Sequence, residues 1–153
     1  MSADHIVPSR ASHGRLALDR AELAAWGEQF GRMASAPLVV AISGELGAGK
    51  TTLVQAICRG YGVAEDVTSP TFALVHRYAA PKSPVYHLDL YRLERPDELT
   101  NIGWDDILSE DALVLIEWPE RAGARLPHDH VPMSLQHLPD EPSRRLLYAG
   151  GHV

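Results

Sequence analysis

The stretch Gly44-Glu45-Leu46-Gly47-Ala48-Gly49-Lys50-Thr51-Thr52 fits the pattern G-x-x-x-x-G-K-[ST], which is typical of phosphate-binding loops. Residues 38–42 precede it as a short apolar run rich in β-branched side chains, which predicts a buried strand. Residues 51–59 follow with a helical pattern, and Gly60 and Gly62 are typical of the end of a helix. The order of strand, glycine loop and helix is the context in which this pattern binds phosphate.

The glycine spacing has a physical reason. Gly44, Gly47 and Gly49 can adopt positive φ and have no Cβ, so the loop can wrap a phosphate and direct backbone N–H groups at it. The following helix adds the partial positive charge of its N-terminus. Lys50 is expected to reach the β- and γ-phosphates, and the Thr51 hydroxyl is expected to bind Mg²⁺. The predicted nucleotide contacts in this stretch are Glu45, Gly47, Ala48, Gly49, Lys50, Thr51 and Thr52.

Composition favours one globular domain. The chain has 153 residues, of which 45% are hydrophobic, so we expect a flexible tail over residues 1–14 and a single domain over residues 15–153. The net charge of −6 argues against strong independent binding to nucleic acid. No run is long enough for a membrane helix and no apolar signal core opens the chain, so we expect a cytoplasmic protein. Cys58 is interpreted as a core residue.

The first helix is predicted between residue 20 and about residue 34. Residues 15–18 favour a short strand, and Asp19 suits the N-cap of the helix that follows. Four large apolar side chains recur at helical spacing and are expected on one buried face: Leu23, Trp26, Phe30 and Met33.

Two carboxylates are predicted at strand ends. Residues 72–78 and 85–89 favour a hairpin whose second strand ends at Asp89, and residues 112–117 form a second buried apolar strand that ends at Glu117. One carboxylate could serve Mg²⁺ while the other orients water, and the residues alone leave the assignment open. The remaining predicted elements are short helices at 96–101 and 104–108 and half-exposed antiparallel strands at 131–138 and 144–148.

Three further features allow more than one interpretation or bear only on the rate of hydrolysis. Residues 66–72 combine small hydroxyls around Pro70, which suits either a plain turn or a loop that senses the γ-phosphate. Arg121 and Arg125 suit either a lid or ordinary surface charge. Without a clear arginine finger, which accelerates hydrolysis roughly 10³–10⁵-fold, we expect slow hydrolysis that depends on a partner.

Four motifs in this order resemble the TsaE (YjeE) family, whose members are small P-loop ATPases of bacterial tRNA threonylcarbamoyladenosine synthesis. The resemblance spans about residues 16–127. Its motifs are the glycine loop, Ser69-Pro70-Thr71-Phe72, His87-Leu88-Asp89-Leu90-Tyr91-Arg92-Leu93 and Ile116-Glu117-Trp118-Pro119-Glu120. The implied fold is a three-layer α/β domain of the P-loop NTPase type, with a mixed sheet of parallel core and antiparallel strands.

The resemblance also implies a function. Such a protein would bind ATP with Mg²⁺ and act on a complex of TsaD and TsaB, which transfers threonylcarbamoyl to adenosine 37 of tRNA. By matched position, Thr71 would lie in a switch-like loop, Asp89 would act near the γ-phosphate, Glu117 would serve Mg²⁺, and Trp118 would lie beside the nucleotide. Lys50 and Thr51 would serve phosphate and Mg²⁺.

Two rival functions follow from the same loop. A small-molecule or nucleoside kinase would need an acceptor site and an arginine-rich lid, for which only Arg121 and Arg125 are candidates. A GTP-dependent switch would need Asn-Lys-x-Asp, the guanine-reading motif, which the sequence lacks. ATP is therefore the preferred nucleotide, and dependence on a protein rather than on a small hydroxylated substrate would separate the ATPase from the kinase.

Overall fold

The computed structural model of the protein describes residues 15–70 and 74–150. The predicted tail over residues 1–14 and the predicted site residue Thr71 lie outside the described residues. The strands are β1 Arg15–Asp19, β2 Leu38–Gly44, β3 Val75–Tyr78, β4 Val85–Asp89, β5 Leu113–Glu117, β6 Val131–His137 and β7 Arg144–Ala149. The helices are α1 Arg20–Met33, α2 Lys50–Tyr61 and α3 Trp104–Ser109, with 3₁₀ segments at Pro96–Ile102 and Pro119–Arg125.

These strands form a mixed seven-stranded sheet in the order β1-β7-β6-β2-β5-β4-β3. β6, β2, β5 and β4 pair in parallel, whereas β3 and β7 are antiparallel to their neighbours and β1 is antiparallel to β7. The predicted parallel core with added antiparallel strands is therefore confirmed, as is the hairpin of β3 and β4.

Apolar residues cover both faces of the central strands. On one face, α1 and α2 pack against inward side chains such as Val40, Ile42 and Leu115. On the other face, α3 and the 3₁₀ segments pack against side chains such as Val114 and Ile116. The five residues of β5 are all buried, which agrees with the continuous apolar run in its sequence. This arrangement gives the three predicted layers.

Helix α1 begins at a capping box. The Asp19 carboxylate accepts a hydrogen bond from the Glu22 amide at 2.8 Å, and the Glu22 carboxylate accepts one from the Asp19 amide at 2.9 Å. Leu23 and Phe30 are buried as the spacing predicts. The prediction for Met33 was wrong, because its side chain is 39% exposed. The buried stripe of the helix runs instead through Phe30 and Gly31 to Ala34, which is 1% exposed, so Met33 lies beside it.

The prediction that β6 is an antiparallel strand was wrong for its pairing with β2. β6 is antiparallel to β7 but parallel to β2, with Val40 opposite Val131. The alternation of apolar and polar residues shows only that one face is covered, and both strand directions satisfy it. The crossover between β5 and β6 contains the 3₁₀ segment Pro119–Arg125, which lets the chain return in the parallel direction.

Two smaller findings complete the comparison. Of the strand expected over residues 72–78, β3 forms from Val75 onward and follows Leu74, which has a positive φ of 65°, whereas residues 72 and 73 lie outside the described residues. Cys58 is buried as expected, and this burial raises the pKa of its thiol to about 12. Among the described residues, no helix has the length and apolar character needed to cross a membrane.

Glycines let α1 and α2 approach closely. A Cβ added at Gly31 would lie 2.1 Å from the carbonyl oxygen of Ile57, and one added at Gly60 would lie 1.9 Å from that of Glu28. Both obstacles are backbone atoms, so no side-chain rotation relieves the contact. Because α2 also carries Lys50 and Thr51 at its first turn, this packing helps to place the glycine loop.

We expect Gly31→Ala to lower the free energy of unfolding by about 1–3 kcal/mol, the usual cost of overpacking. Alanine favours a helix over glycine by about 1 kcal/mol, so the steric cost must exceed this gain. Gln29→Ala, at an exposed position of the same helix, is the control and should change stability little. Urea denaturation measures both, and a Gly31→Ala protein as stable as wild type would contradict the packing.

Candidate functional site

The glycine loop joins the end of β2 to the start of α2. Gly44, Gly47 and Gly49 have φ values of 152°, 78° and 103°, which other residues rarely adopt. A Cβ at Gly44 would also lie 2.6 Å from the Leu135 carbonyl oxygen of β6. The Leu53 amide donates a helical hydrogen bond to the Gly49 carbonyl at 3.0 Å. The amides of residues 50–52 lie before this bond, in the first turn of α2. These N–H groups and the helix N-terminus suit an anion.

Lys50 lies beneath this loop and is only 5% exposed. Its Nζ donates to the carbonyl oxygens of Gly44 at 2.6 Å and Glu45 at 2.8 Å. Burial lowers the pKa of Lys50, and the nearby carboxylates of Glu117 and Asp89 partly oppose this effect. A phosphate oxygen could replace the two carbonyl partners, because each is an acceptor for the same ammonium group.

Glu117 ends β5 with its side chain against the first turn of α2. The Thr51 hydroxyl donates to both of its carboxylate oxygens, at 3.3 and 3.1 Å. The His87 Nε2 lies 2.6 Å from Oε2 of the same carboxylate. A hydroxyl and a carboxylate are oxygen ligands of the kind that Mg²⁺ prefers, so Thr51 and Glu117 fit this ion. Their position at the loop would put such an ion beside the phosphates.

Asp89 lies beside Glu117, because β4 and β5 are parallel and the two residues face each other in register. Its Oδ2 accepts a hydrogen bond from the Ser69 hydroxyl at 3.1 Å, and its Oδ1 accepts one from the Tyr91 amide at 3.0 Å. Both oxygens are therefore held by the chain. The Ser69 contact ties Asp89 to the loop that the family resemblance predicts to be switch-like.

Trp118 follows Glu117 with left-handed backbone angles, φ 58° and ψ 50°. Its amide donates to the Ile42 carbonyl at 3.3 Å, which holds this turn against β2. The Lys50 Nζ lies 4.3 Å from the centre of the indole ring, within the range of a cation–π contact. The ring of Tyr91 packs against the indole with centroids 4.9 Å apart. An aromatic wall thus borders the buried lysine.

A cleft of about 370 Å³ opens between these groups. Its lining includes the loop, both carboxylates and the aromatic wall: Leu46, Gly47, Gly49, Lys50, Thr51, Thr52, Ser69, Asp89, Tyr91, Glu117 and Trp118. Most of the predicted site residues therefore meet at one place. Two do not line this cleft: Glu45, whose carbonyl holds Lys50, and Ala48, which is buried. The location of Thr71 is outside the part of the chain that the structure describes.

A second cleft of about 310 Å³ lies on the other side of the loop. Gly47, Gly49 and Thr52 line it together with Arg20 and Arg145. The neighbouring Arg144 points elsewhere, since its guanidinium donates to the Glu22 carboxylate at 2.7 Å. Both clefts border the glycine loop.

His87, to which the sequence patterns gave no role, is fully buried and contacts Glu117. The available signal was a histidine inside an apolar strand, two residues before Asp89 and so on the same face. The proposed lid arginines are engaged elsewhere: Arg121 donates to the Leu93 carbonyl at 3.3 Å and Arg125 pairs with Asp105 at 3.6 Å. Among the described residues, no group of three or more His, Cys, Asp or Glu side chains forms a metal cluster.

Comparison with known proteins identifies the family. The model of the family "Threonylcarbamoyl adenosine biosynthesis protein TsaE" matches residues 18–146. The chain belongs to the TsaE family. TsaE is a family of threonylcarbamoyladenosine biosynthesis, as its description states, and the resemblance noted from the four motifs is confirmed.

Individual relatives agree with this assignment. The tRNA threonylcarbamoyladenosine biosynthesis protein TsaE of Nostoc sp. is 44% identical over 95 residues, which cover 60% of this chain and 59% of that protein. The protein of the same name from Treponema pallidum is 37% identical over 119 residues, covering 78% of this chain and 87% of that protein. The match thus spans about three fifths of the length of the Nostoc relative.

A solved structure supports the fold. The crystal structure of Bacillus subtilis YdiB superposes with a TM-score of 0.71 at 23% sequence identity, covering 90% of this chain and 86% of that one. At this identity the likeness concerns the architecture, and it confirms the predicted α/β class.

Trp118 should report ligand binding in the cleft that it lines beside Lys50. If a bound triphosphate attracts Lys50 away from the indole, ATP with Mg²⁺ will change the fluorescence of Trp118. The other tryptophans, Trp26 and Trp104, are 6% and 1% exposed in the core. We expect the change in wild type, Trp26→Phe and Trp104→Phe, and its loss in Trp118→Phe. A full response that survives Trp118→Phe would place the ligand elsewhere.

Proposed function

We propose that this TsaE chain binds ATP with Mg²⁺ and hydrolyses it slowly when alone. The convergence of Lys50, Thr51, Asp89 and Glu117 on the glycine loop is the observation that supports this proposal. In the pathway, the protein would act on a complex of TsaD and TsaB that threonylcarbamoylates adenosine 37 of tRNA. The name shared by the relatives, tRNA threonylcarbamoyladenosine biosynthesis protein, supports this process.

Each side chain has a role in this proposal. Backbone amides of residues 47–52 hold the phosphates, while Lys50 exchanges its carbonyl partners for phosphate oxygens. Thr51 and Glu117 would hold Mg²⁺, which neutralises the charge that develops on the phosphates. Asp89, fixed by Ser69 and the Tyr91 amide, would orient the attacking water.

Slow hydrolysis follows from where the arginines lie. Arg121 and Arg125 donate to groups of their own chain, and Arg145 lies in the second cleft. An arginine that neutralises the transition state raises the rate roughly 10³–10⁵-fold, so its supply by a partner would make hydrolysis depend on that partner.

The base and ribose would occupy the second cleft, where Arg20 and Arg145 provide donors. With a net charge of −6, the chain would approach tRNA only through the TsaD and TsaB proteins. We place this reaction in the cytoplasm, where both tRNA and ATP are present.

We expect Lys50→Ala to lower ATP affinity roughly 100-fold, because removal of one partner from a buried charge pair costs about 2–5 kcal/mol. Lys82→Ala is a matched control. Like Lys50, Lys82 donates to backbone carbonyls, which are those of Gly31, Arg32 and Ala34. Its Nζ also lies 4.7 Å from the centre of the Tyr61 ring. Unlike Lys50, it lines neither of the two clefts described above. Titration calorimetry measures the affinities, and normal ATP binding by Lys50→Ala would refute the site.

The decisive experiment measures ATP hydrolysis with and without TsaD and TsaB. We expect a low rate for the chain alone and a higher rate with the partners. Asp89→Asn should fold normally and lower the stimulated rate by about 10²-fold or more, which is typical for a group that assists proton transfer. Asp106→Asn, a change of an exposed carboxylate, should have no effect. If ATP is consumed only with a small hydroxylated substrate, the chain is a kinase instead.

A further inference from the structure

The position of His87 follows from the register between β4 and β5. Asp89 pairs with Glu117 and His87 pairs with Leu115, and these strands run in parallel. Because side chains alternate along a strand, His87 and Asp89 share one face of the sheet with Glu117. His87 is therefore the diagonal neighbour of Glu117 on the buried side of the site. Its imidazole is completely inaccessible to solvent.

The contact between His87 and Glu117 is the shorter and better defined of the contacts to this carboxylate. Nε2 of His87 lies 2.6 Å from Oε2 of Glu117, and this is its one hydrogen-bond contact with the carboxylate among the described residues. Thr51 shares its hydroxyl between both oxygens at 3.1 and 3.3 Å. A shared donor fixes the distance of a carboxylate but not its rotation. The buried imidazole contacts one oxygen alone and therefore constrains the rotation.

Burial makes this contact necessary. Glu117 is only 2% exposed, and a buried carboxylate costs several kcal/mol unless donors compensate it. His87 provides such a donor when the hydrogen is on Nε2. Its Nδ1 has no hydrogen-bond partner among the residues that the structure describes. The one polar contact recorded for this ring is therefore directed at Glu117, which is the arrangement expected of a residue that serves the carboxylate.

We propose that His87 is a positioning residue that orients the Glu117 carboxylate for Mg²⁺. The inference rests on the proposed function, in which Thr51 and Glu117 hold this ion. Hydrogen-bonding groups behind metal ligands orient them, and their loss typically lowers metal affinity by about 10–100-fold. His87 thereby acts on Mg²⁺ affinity and not on the affinity for the nucleotide itself.

The test separates Mg²⁺ affinity from nucleotide affinity. His87→Leu removes the donor with little change in size, whereas His87→Gln keeps an N–H donor that can reach Glu117. Calorimetry measures ADP binding first in EDTA and then over a series of Mg²⁺ concentrations. We expect His87→Leu to bind ADP normally in EDTA. The Mg²⁺ concentration that gives half of the maximal change in ADP affinity should rise by roughly 10-fold or more. His87→Gln should recover most of the wild-type response.

Two controls make the outcome decisive. Val85→Ala, a core change on the same face of β4, should weaken the fold without changing the Mg²⁺ response. Glu117→Gln should weaken that response at least as strongly as His87→Leu. The inference is overturned if His87→Leu responds to Mg²⁺ like wild type, or if Val85→Ala shifts the response equally. If wild type ignores Mg²⁺, or Glu117→Gln changes nothing, the proposed Mg²⁺ site itself fails and the role of His87 fails with it.

Discussion

The parallel pairing of β2, β5 and β4 is the constraint on which the rest of the structure depends. Its register aligns Ile42, Glu117 and Asp89 across three adjacent strands. Parallel strands end at the same edge of a sheet, where open α/β folds bind their ligands. A slip of β5 by one residue would turn Glu117 towards the face covered by α3. The register therefore sets the position of the charges as well as the packing of the core.

Two buried charges make this edge costly to build. Lys50 and Glu117 are 5% and 2% exposed, so each needs partners to offset its lost hydration. Lys50 takes carbonyl oxygens of its own loop, and Glu117 takes the Thr51 hydroxyl and His87. In the proposed function, phosphate oxygens of the nucleotide would replace these carbonyls as partners of the ammonium group.

Local patterns were enough to predict the loop and both strand-end carboxylates, because each depends on neighbouring residues, such as the run that ends at Glu117. The three-layer class was implied by the resemblance to the TsaE family. His87 could not be recognised in the same way, because its meaning depends on the register between β4 and β5. The direction of β6 was missed for a related reason: alternation reports burial, and only long-range pairing with β2 decides the direction. What the sequence left open was therefore set by contacts between distant segments.

The aromatic wall also holds the nearby Arg121, which does not line the cleft. The Arg121 guanidinium lies 5.8 Å from the centre of the Tyr91 ring, which packs against Trp118, which in turn covers Lys50. Moving Arg121 into the cleft would remove its contacts with Tyr91 and the Leu93 carbonyl. Tyr91 also supplies the amide that holds Asp89. The groups that hold Asp89 therefore also hold Arg121, and in the proposed function the missing positive charge would come from another protein.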